Sequence, residues 1–226
     1  MREKQVVLFD LDGTIVDSMA GITRSYQYAL AHFGVEVENP DTLARFVGPS
    51  LYRTFAEEYG FAGERLQTAV AKYREYFAEK GVFEHSLYPG MSGLIRGLAG
   101  QGRTLAVASC KVDVYTKQIL EQYGLLDCFA FVGGSEMDGR RSSKAEIIRY
   151  VLDALGAPAP ASAVMVGDRA EDMSGAHAAG VDGVGVLYGF GSREELCGAG
   201  AAALADDVPP ARGPARRSGL KKEGYA

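Results

Sequence analysis

Val6-Val7-Leu8-Phe9-Asp10-Leu11-Asp12-Gly13-Thr14 is the most informative stretch of this 226-residue chain. Its four apolar residues read as a short strand buried on both faces. Two acids one residue apart follow at the carboxyl end, the edge at which open α/β sheets bind ligands. Average residue usage supplies Asp-x-Asp-Gly-Thr at on the order of 10⁻⁵ per position, although Asp and Gly also favour plain turns. The spacing suits phosphoryl chemistry. Asp10 can attack a phosphoryl group and carry it as an aspartyl-phosphate. Asp12 can protonate the leaving oxygen and later activate a water. Gly13 leaves room for backbone N–H groups to approach phosphate oxygens. Neighbouring carboxylates also need a cation, or they repel a dianionic substrate.

Further buried strands are predicted at 104–108, 129–132, 163–166 and 183–187, with helical patterns at 93–98, 114–122, 144–155 and 171–179 between them. That alternation predicts an α/β, doubly wound, mostly parallel Rossmann-like sheet covered on both faces. Residues 16–84 break it with helical periodicity alone. Ile22, Tyr26, Ala29 or Leu30, and Phe33 share one face, and Gly34 stops that helix. Leu51, Phe55 and Tyr59 form a second pattern, and Leu66, Val70, Tyr73 and Phe77 a third. The expected organisation is a core of 1–15 and 85–208, an inserted α-helical cap of 16–84, and a mobile tail of 209–226.

A second motif supplies a seat for the cation. Val164-Met165-Val166-Gly167-Asp168-Arg169-Ala170-Glu171-Asp172 is another apolar strand ending in Gly-Asp, with an acid four residues on. Asp168 is expected at the same sheet edge as Asp10, giving oxygen ligands for Mg²⁺. Asp172 would cap the following helix or orient the metal's water shell. Taken alone, a helix start explains Gly-Asp-x-x-x-Asp equally well. Ser109 and Cys110 end a core strand where a phosphate oxygen could be held, and Lys144 opens a helix with a point charge suited to phosphate. A capping Ser and a solvated Lys are the plain alternatives. Arg45, Arg53, Lys72 and Arg74 lie in the cap, and Arg140 and Arg141 precede Lys144. Each of these six could contact substrate, with Arg45, Arg53 and Arg141 put forward first, although solvated surfaces explain each of them. His32, His85 and His177 share no spacing, so a catalytic histidine is unsupported.

Composition narrows the class. Apolar residues are 47% and charged residues 23%, ordinary globular usage. A net charge of −5 argues against a nucleic-acid partner. Arg212, Arg216, Arg217, Lys221 and Lys222 concentrate positive charge near the end, so the rest is more acidic than the total suggests. Cys110, Cys128 and Cys197 are too scattered for a disulfide framework or a zinc site, which suits a reducing compartment. With no signal-peptide pattern after Met1 and no stretch of about 18 apolar residues, a cytoplasmic location without membrane contact is expected.

In this order, Asp10-x-Asp12-Gly13-Thr14, Ser109, Lys144 and Gly167-Asp168-x-x-x-Asp172 resemble the four motifs of the haloacid-dehalogenase-like (HAD) hydrolase superfamily. The likeness covers about residues 5 to 205. It implies Asp10 as nucleophile and Asp12 as general acid and base. It also implies phosphate held by Gly13, Ser109, Cys110 and Lys144, and Mg²⁺ held by the Asp10 carboxylate, the Asp12 main-chain carbonyl and Asp168. The helical insert looks like that family's C1-type cap. The dehalogenase branch lacks the second acid that Asp12 supplies, so phosphate chemistry is implied. Where relatives of β-phosphoglucomutase carry Asp-Thr and a nearby His, this chain has Asp17-Ser18-Met19-Ala20-Gly21-Ile22. Together with Phe46-Val47-Gly48-Pro49-Ser50-Leu51 and the run from Gly133 to Lys144, this resembles the phosphoglycolate phosphatase and 5′-nucleotidase branch. The implied function is a Mg²⁺-dependent phosphatase of a small phosphorylated metabolite, as monomer or homodimer. A sugar phosphomutase and a catalytically silent binding module of the same fold are the alternatives. After Ala203-Leu204-Ala205 the chain runs into its Pro- and Arg-rich end, which leaves the last core element unassigned.

Overall fold

The computed structural model describes residues 5–156 and 160–209. Six parallel strands form one sheet in the order β5-β4-β1-β6-β7-β8: β1 Val6–Phe9, β4 Thr104–Val112, β5 Phe131–Ser135, β6 Ala163–Gly167, β7 Asp182–Val186 and β8 Ala203–Ala205. Alternation along the strands divides the core. Val7 and Phe9 of β1, with Leu105 and Val107 of β4, face a cluster containing Met91, Ile95, Ile119 and Leu120. Val6, Leu8, Ala106 and Ala108 face Ile147, Ile148, Val151 and Ala176. The helices that cover these faces are α4 Met91–Gly100 and α5 Asp113–Gln122 on one side, α6 Lys144–Ala154 and α7 Ala170–Ala178 on the other. Both faces are dry, so β1 is buried at every residue.

Between β1 and α4 the chain forms α1 Met19–Ala31, a 3₁₀ turn Pro40–Phe46, α2 Leu51–Tyr59 and α3 Gly63–Glu79. Their shared core is aromatic. The Tyr26 ring lies 4.9 Å from that of Tyr73, 5.3 Å from Phe55 and 5.4 Å from Phe46. A two-residue antiparallel ribbon, β2 Val16–Asp17 with β3 Ser86–Leu87, closes the neck where this helical unit leaves and rejoins the sheet. The remaining helix, α8 Arg193–Gly198, precedes β8.

One expectation needs correction, and one open element is assigned. The third core strand starts at Phe131 rather than 129, because Leu126–Cys128 forms a 3₁₀ turn first. It then runs through Gly133 and Gly134, where an added Cβ would meet Val151 Cγ2 at 2.4 Å and the Lys111 carbonyl at 2.3 Å. The unassigned last element is β8, parallel to β7 at the sheet edge. The expected tail lies, apart from Pro209, outside the described residues. Among the described residues, no helix is long and apolar enough to cross a membrane.

Candidate active site

Strand register assembles the site. Phe9 pairs with Val107 on one side and Val166 on the other, so the residues that follow emerge together at the carboxyl edge. Asp10 donates its N–H to the Val166 carbonyl at 2.9 Å. Asp10, Asp168 and Asp172 are all buried and offer carboxylate oxygens within 4.8 Å of one another. Thr14 Oγ1 donates to Asp168 Oδ1 at 3.2 Å, and the Phe190 N–H donates to Oδ2 at 2.8 Å. Gly13, at φ +78°, is required here. A Cβ on it would lie 2.1 Å from Asp168 Oδ2.

Lys144 is the first residue of α6, held by a capping box in which Ser143 Oγ accepts from the Glu146 N–H. Its Nζ donates to the Ala108 carbonyl at 3.1 Å, and stands 3.0 Å from Asp10 Oδ1 and 2.7 Å from Asp172 Oδ1. Burial pulls the Lys144 pKa down, but the two carboxylates prevail and hold it well above the ordinary lysine value. Burial, then Asp172 and Asp10, push Asp168 well above the carboxylate range, against the opposing Phe190 N–H. Asp172 is pushed up to about 6, chiefly by burial, with Lys144 opposing.

These carboxylates fit a hard cation. Asp10 Oδ1 and Asp172 Oδ1 are buried without an aligned hydrogen bond, so Lys144 offsets their charge without satisfying their lone pairs. An all-oxygen donor set suits Mg²⁺.

The Asp12 side chain points elsewhere. Its Oδ2 lies 3.0 Å from Lys111 Nζ, which in turn sits 4.3 Å from the centre of the Phe77 ring in α3. Asp12 and Lys111 therefore face a cleft between the helical unit and the sheet edge, with Arg74, Tyr52, Tyr73 and Tyr115 on its walls. The cleft has a free volume of about 70 Å³. Ser109 is buried beside it, its Oγ accepting from the Lys111 N–H at 3.3 Å. Cys110 turns its thiol to the Ser142 carbonyl, and burial pushes that thiol up to about 12, so it stays neutral.

The three expected substrate arginines do not line this cleft. Arg45 pairs with Glu58 at 3.0 Å and Arg53 with Glu57 at 2.8 Å. Arg141, at φ +51°, donates to the Gly134 carbonyl and lies 3.7 Å from the centre of the Tyr150 ring. Neighbouring carboxylates, a carbonyl and an aromatic face hold them in place. Lys72 is likewise paired, with Glu75. The cations on the cleft are Lys111 and Arg74, whose guanidinium donates to the Met137 carbonyl and has no carboxylate partner among the described residues. Lys111 stands two residues past Ser109 near a strand end, and that spacing was the available signal. Nothing in the sequence singles out Arg74 from its helical neighbours.

The family model described as haloacid dehalogenase-like hydrolase matches residues 7–186. The chain is 43% identical over 190 residues to a 5′-nucleotidase of Pseudomonas aeruginosa, spanning 84% of this chain and 86% of that protein. It is 38% identical over 187 residues to tyrosine-protein kinase PtkA of Mycobacterium tuberculosis, covering 83% of this chain and 63% of that longer protein. A solved structure described as a predicted phosphatase from Clostridium acetobutylicum superposes with a TM-score of 0.88 at 43% identity, covering 91% of this chain and 94% of that one.

Proposed function

The chain belongs to the haloacid dehalogenase-like hydrolases, and from that premise we propose that it hydrolyses small phosphate monoesters through a phosphoryl group carried on Asp10. One observation carries this reading. Asp10 sits at a strand end among two further buried acids and a buried lysine that touches both Asp10 and Asp172.

In the proposed reaction an Asp10 carboxylate oxygen bonds to phosphorus as the bond to the leaving oxygen breaks. Asp12 gives its proton to that oxygen, and the alcohol departs. Asp12 then takes a proton from a water whose oxygen attacks phosphorus. That attack releases inorganic phosphate and restores Asp10. Lys144, fixed by Ala108 and its helix cap, holds positive charge beside the nucleophile without needing to move. The Asp10 and Asp168 carboxylates and the Asp12 carbonyl would hold Mg²⁺, with Asp172 acting through its waters. When bound, the ion supplies charge neutralisation for the acids and the incoming phosphate. The leaving group is assigned to the cleft, whose aromatic walls and two cations suit a nucleoside 5′-monophosphate or a small anionic ester such as phosphoglycolate.

The likeness to a protein named as a tyrosine kinase favours a second reading, transfer of the same phosphoryl group to a hydroxyl rather than to water. A panel of nucleoside 5′-monophosphates, phosphoglycolate, sugar phosphates and p-nitrophenyl phosphate in Mg²⁺ separates the readings. Stoichiometric inorganic phosphate supports hydrolysis. A phosphorylated hydroxyl acceptor or an isomerised sugar phosphate in its place supports transfer.

A further inference from the structure

Arg169 follows Asp168 directly, yet its side chain leaves the acidic cluster and crosses to the helical unit. Its Nη1 donates to the Val47 carbonyl at 2.7 Å and to the Arg45 carbonyl at 3.2 Å. Its Nε donates to Glu195 Oε1 at 2.8 Å, and the same oxygen accepts the Ala170 N–H at 2.8 Å. Glu195 thus ties the guanidinium to the first turn of α7, the turn that carries Asp172. The opposite surface is shaped to match. Gly48 has φ +102°, and a Cβ there would lie 2.9 Å from Arg169 Cγ. The fastened segment is also a wall of the cleft, through Phe46, Gly48, Pro49 and Ser50.

We infer that Arg169 is a positioning residue, a latch aimed by Glu195 that holds the cap segment around residues 46–50 shut over the site. It goes beyond the phosphatase reading and rests on it only where activity is measured. A planar guanidinium reaches Glu195 and two carbonyls together, a geometry an ammonium group lacks. Two other polar links between cap and core are slighter. Arg53 and Glu171 are 3.8 Å apart and partly exposed, and such pairs contribute little. Arg74 donates to the single Met137 carbonyl. Closing segments of this kind shield chemistry from water and complete the site, so loosening one acts on turnover as well as on binding.

The test uses the full chain with Arg169→Met, Arg169→Lys, Glu195→Gln and, from the cap side, Gly48→Ala. Three readouts are taken: steady-state kinetics on p-nitrophenyl phosphate, the Mg²⁺ concentration giving half-maximal activity, and backbone hydrogen exchange. A latch predicts faster exchange at residues 46–51 and kcat/KM lower by about ten- to hundredfold, the worth of a charged hydrogen bond. It also predicts that residues 168–173 keep wild-type exchange and the half-maximal Mg²⁺ concentration is unchanged. Arg169→Lys should fail to restore the kinetics, and Gly48→Ala should reproduce the exchange change with the core untouched. Unchanged exchange at 46–51 in every folded variant overturns the inference. So does a raised Mg²⁺ requirement with faster exchange confined to 168–173, which would make Arg169 only a support for that loop. The exchange readout needs no turnover, so a wild type inactive on every phosphate ester removes the phosphatase reading and leaves the latch decidable.

Discussion

Lys144 Nζ stands 3.0 Å from Asp10 Oδ1, and both groups are almost entirely withdrawn from water. A buried ion pair of this kind contributes little to net stability, because desolvating the charges offsets much of their attraction. Its value is positional. The same ammonium reaches Asp172 and the Ala108 carbonyl, so one helix terminus places positive charge against Asp10.

Removing that charge should be severe. Lys144→Met leaves buried carboxylates uncompensated, and at pH 8 it should cost about 3–5 kcal/mol in urea unfolding. The deficit should shrink toward pH 5, where the acids can take up protons instead. A loss equal at both pH values would contradict the pairing. Turnover of p-nitrophenyl phosphate should fall by at least about a hundredfold.

Asp172 makes the protein's stability depend on pH in a definite direction. Its carboxyl is raised from 3.8 to about 6, so between those values the folded state holds a proton that the unfolded chain releases. The stability this group contributes is therefore present at the acid end and lost as pH rises through the window, about 3 kcal/mol in all. Unfolding free energies of wild type and Asp172→Asn in metal-free buffer should diverge by about 2 kcal/mol of that between about pH 4 and pH 6.5, with the variant gaining. Mg²⁺ should raise the melting temperature of the wild type more at pH 7.5 than at pH 5, since binding to the folded state alone stabilises it. Parallel pH curves for the two proteins would contradict the assignment.

Ser143 tests whether the helix terminus itself matters. Ser143→Ala removes the side-chain acceptor of the Glu146 N–H and should reduce stability by about 1 kcal/mol in urea unfolding. Because Lys144 keeps its bond to Ala108, turnover should survive. Loss of turnover as deep as in Lys144→Met would show that the capping box, and not the contacts of Lys144, places the ammonium.

The parts of this fold that the sequence announces are those with a period or a local motif. Val6–Phe9 and Ala163–Gly167 are unbroken apolar runs, and each ends in the acids that meet at the sheet edge. The β2–β3 ribbon went unseen because two residues per strand carry no alternation. Pro40–Phe46 is a 3₁₀ turn opened by Asn39, whose side chain accepts the Asp41 N–H, and it too is shorter than a readable helical stripe. The sequence offers Arg74 as one of four cap cations without ranking it, for a different reason. Arg45, Arg53 and Arg74 look alike in sequence, and only tertiary contact separates them: nearby carboxylates hold the first two, while α3 turns the third toward Met137. Glu195 lies far along the chain from Val47, so nothing local ties it to the cap.

The central claim is that Asp10 is the group that takes the phosphoryl. Asp10→Asn changes one atom and keeps the side chain's shape, so initial rates of p-nitrophenyl phosphate hydrolysis in saturating Mg²⁺ test it most directly. The expected result is a loss of about 10³-fold or more, the scale on which nucleophile removal acts, in a protein that still unfolds cooperatively. Activity within about tenfold of wild type would contradict the account.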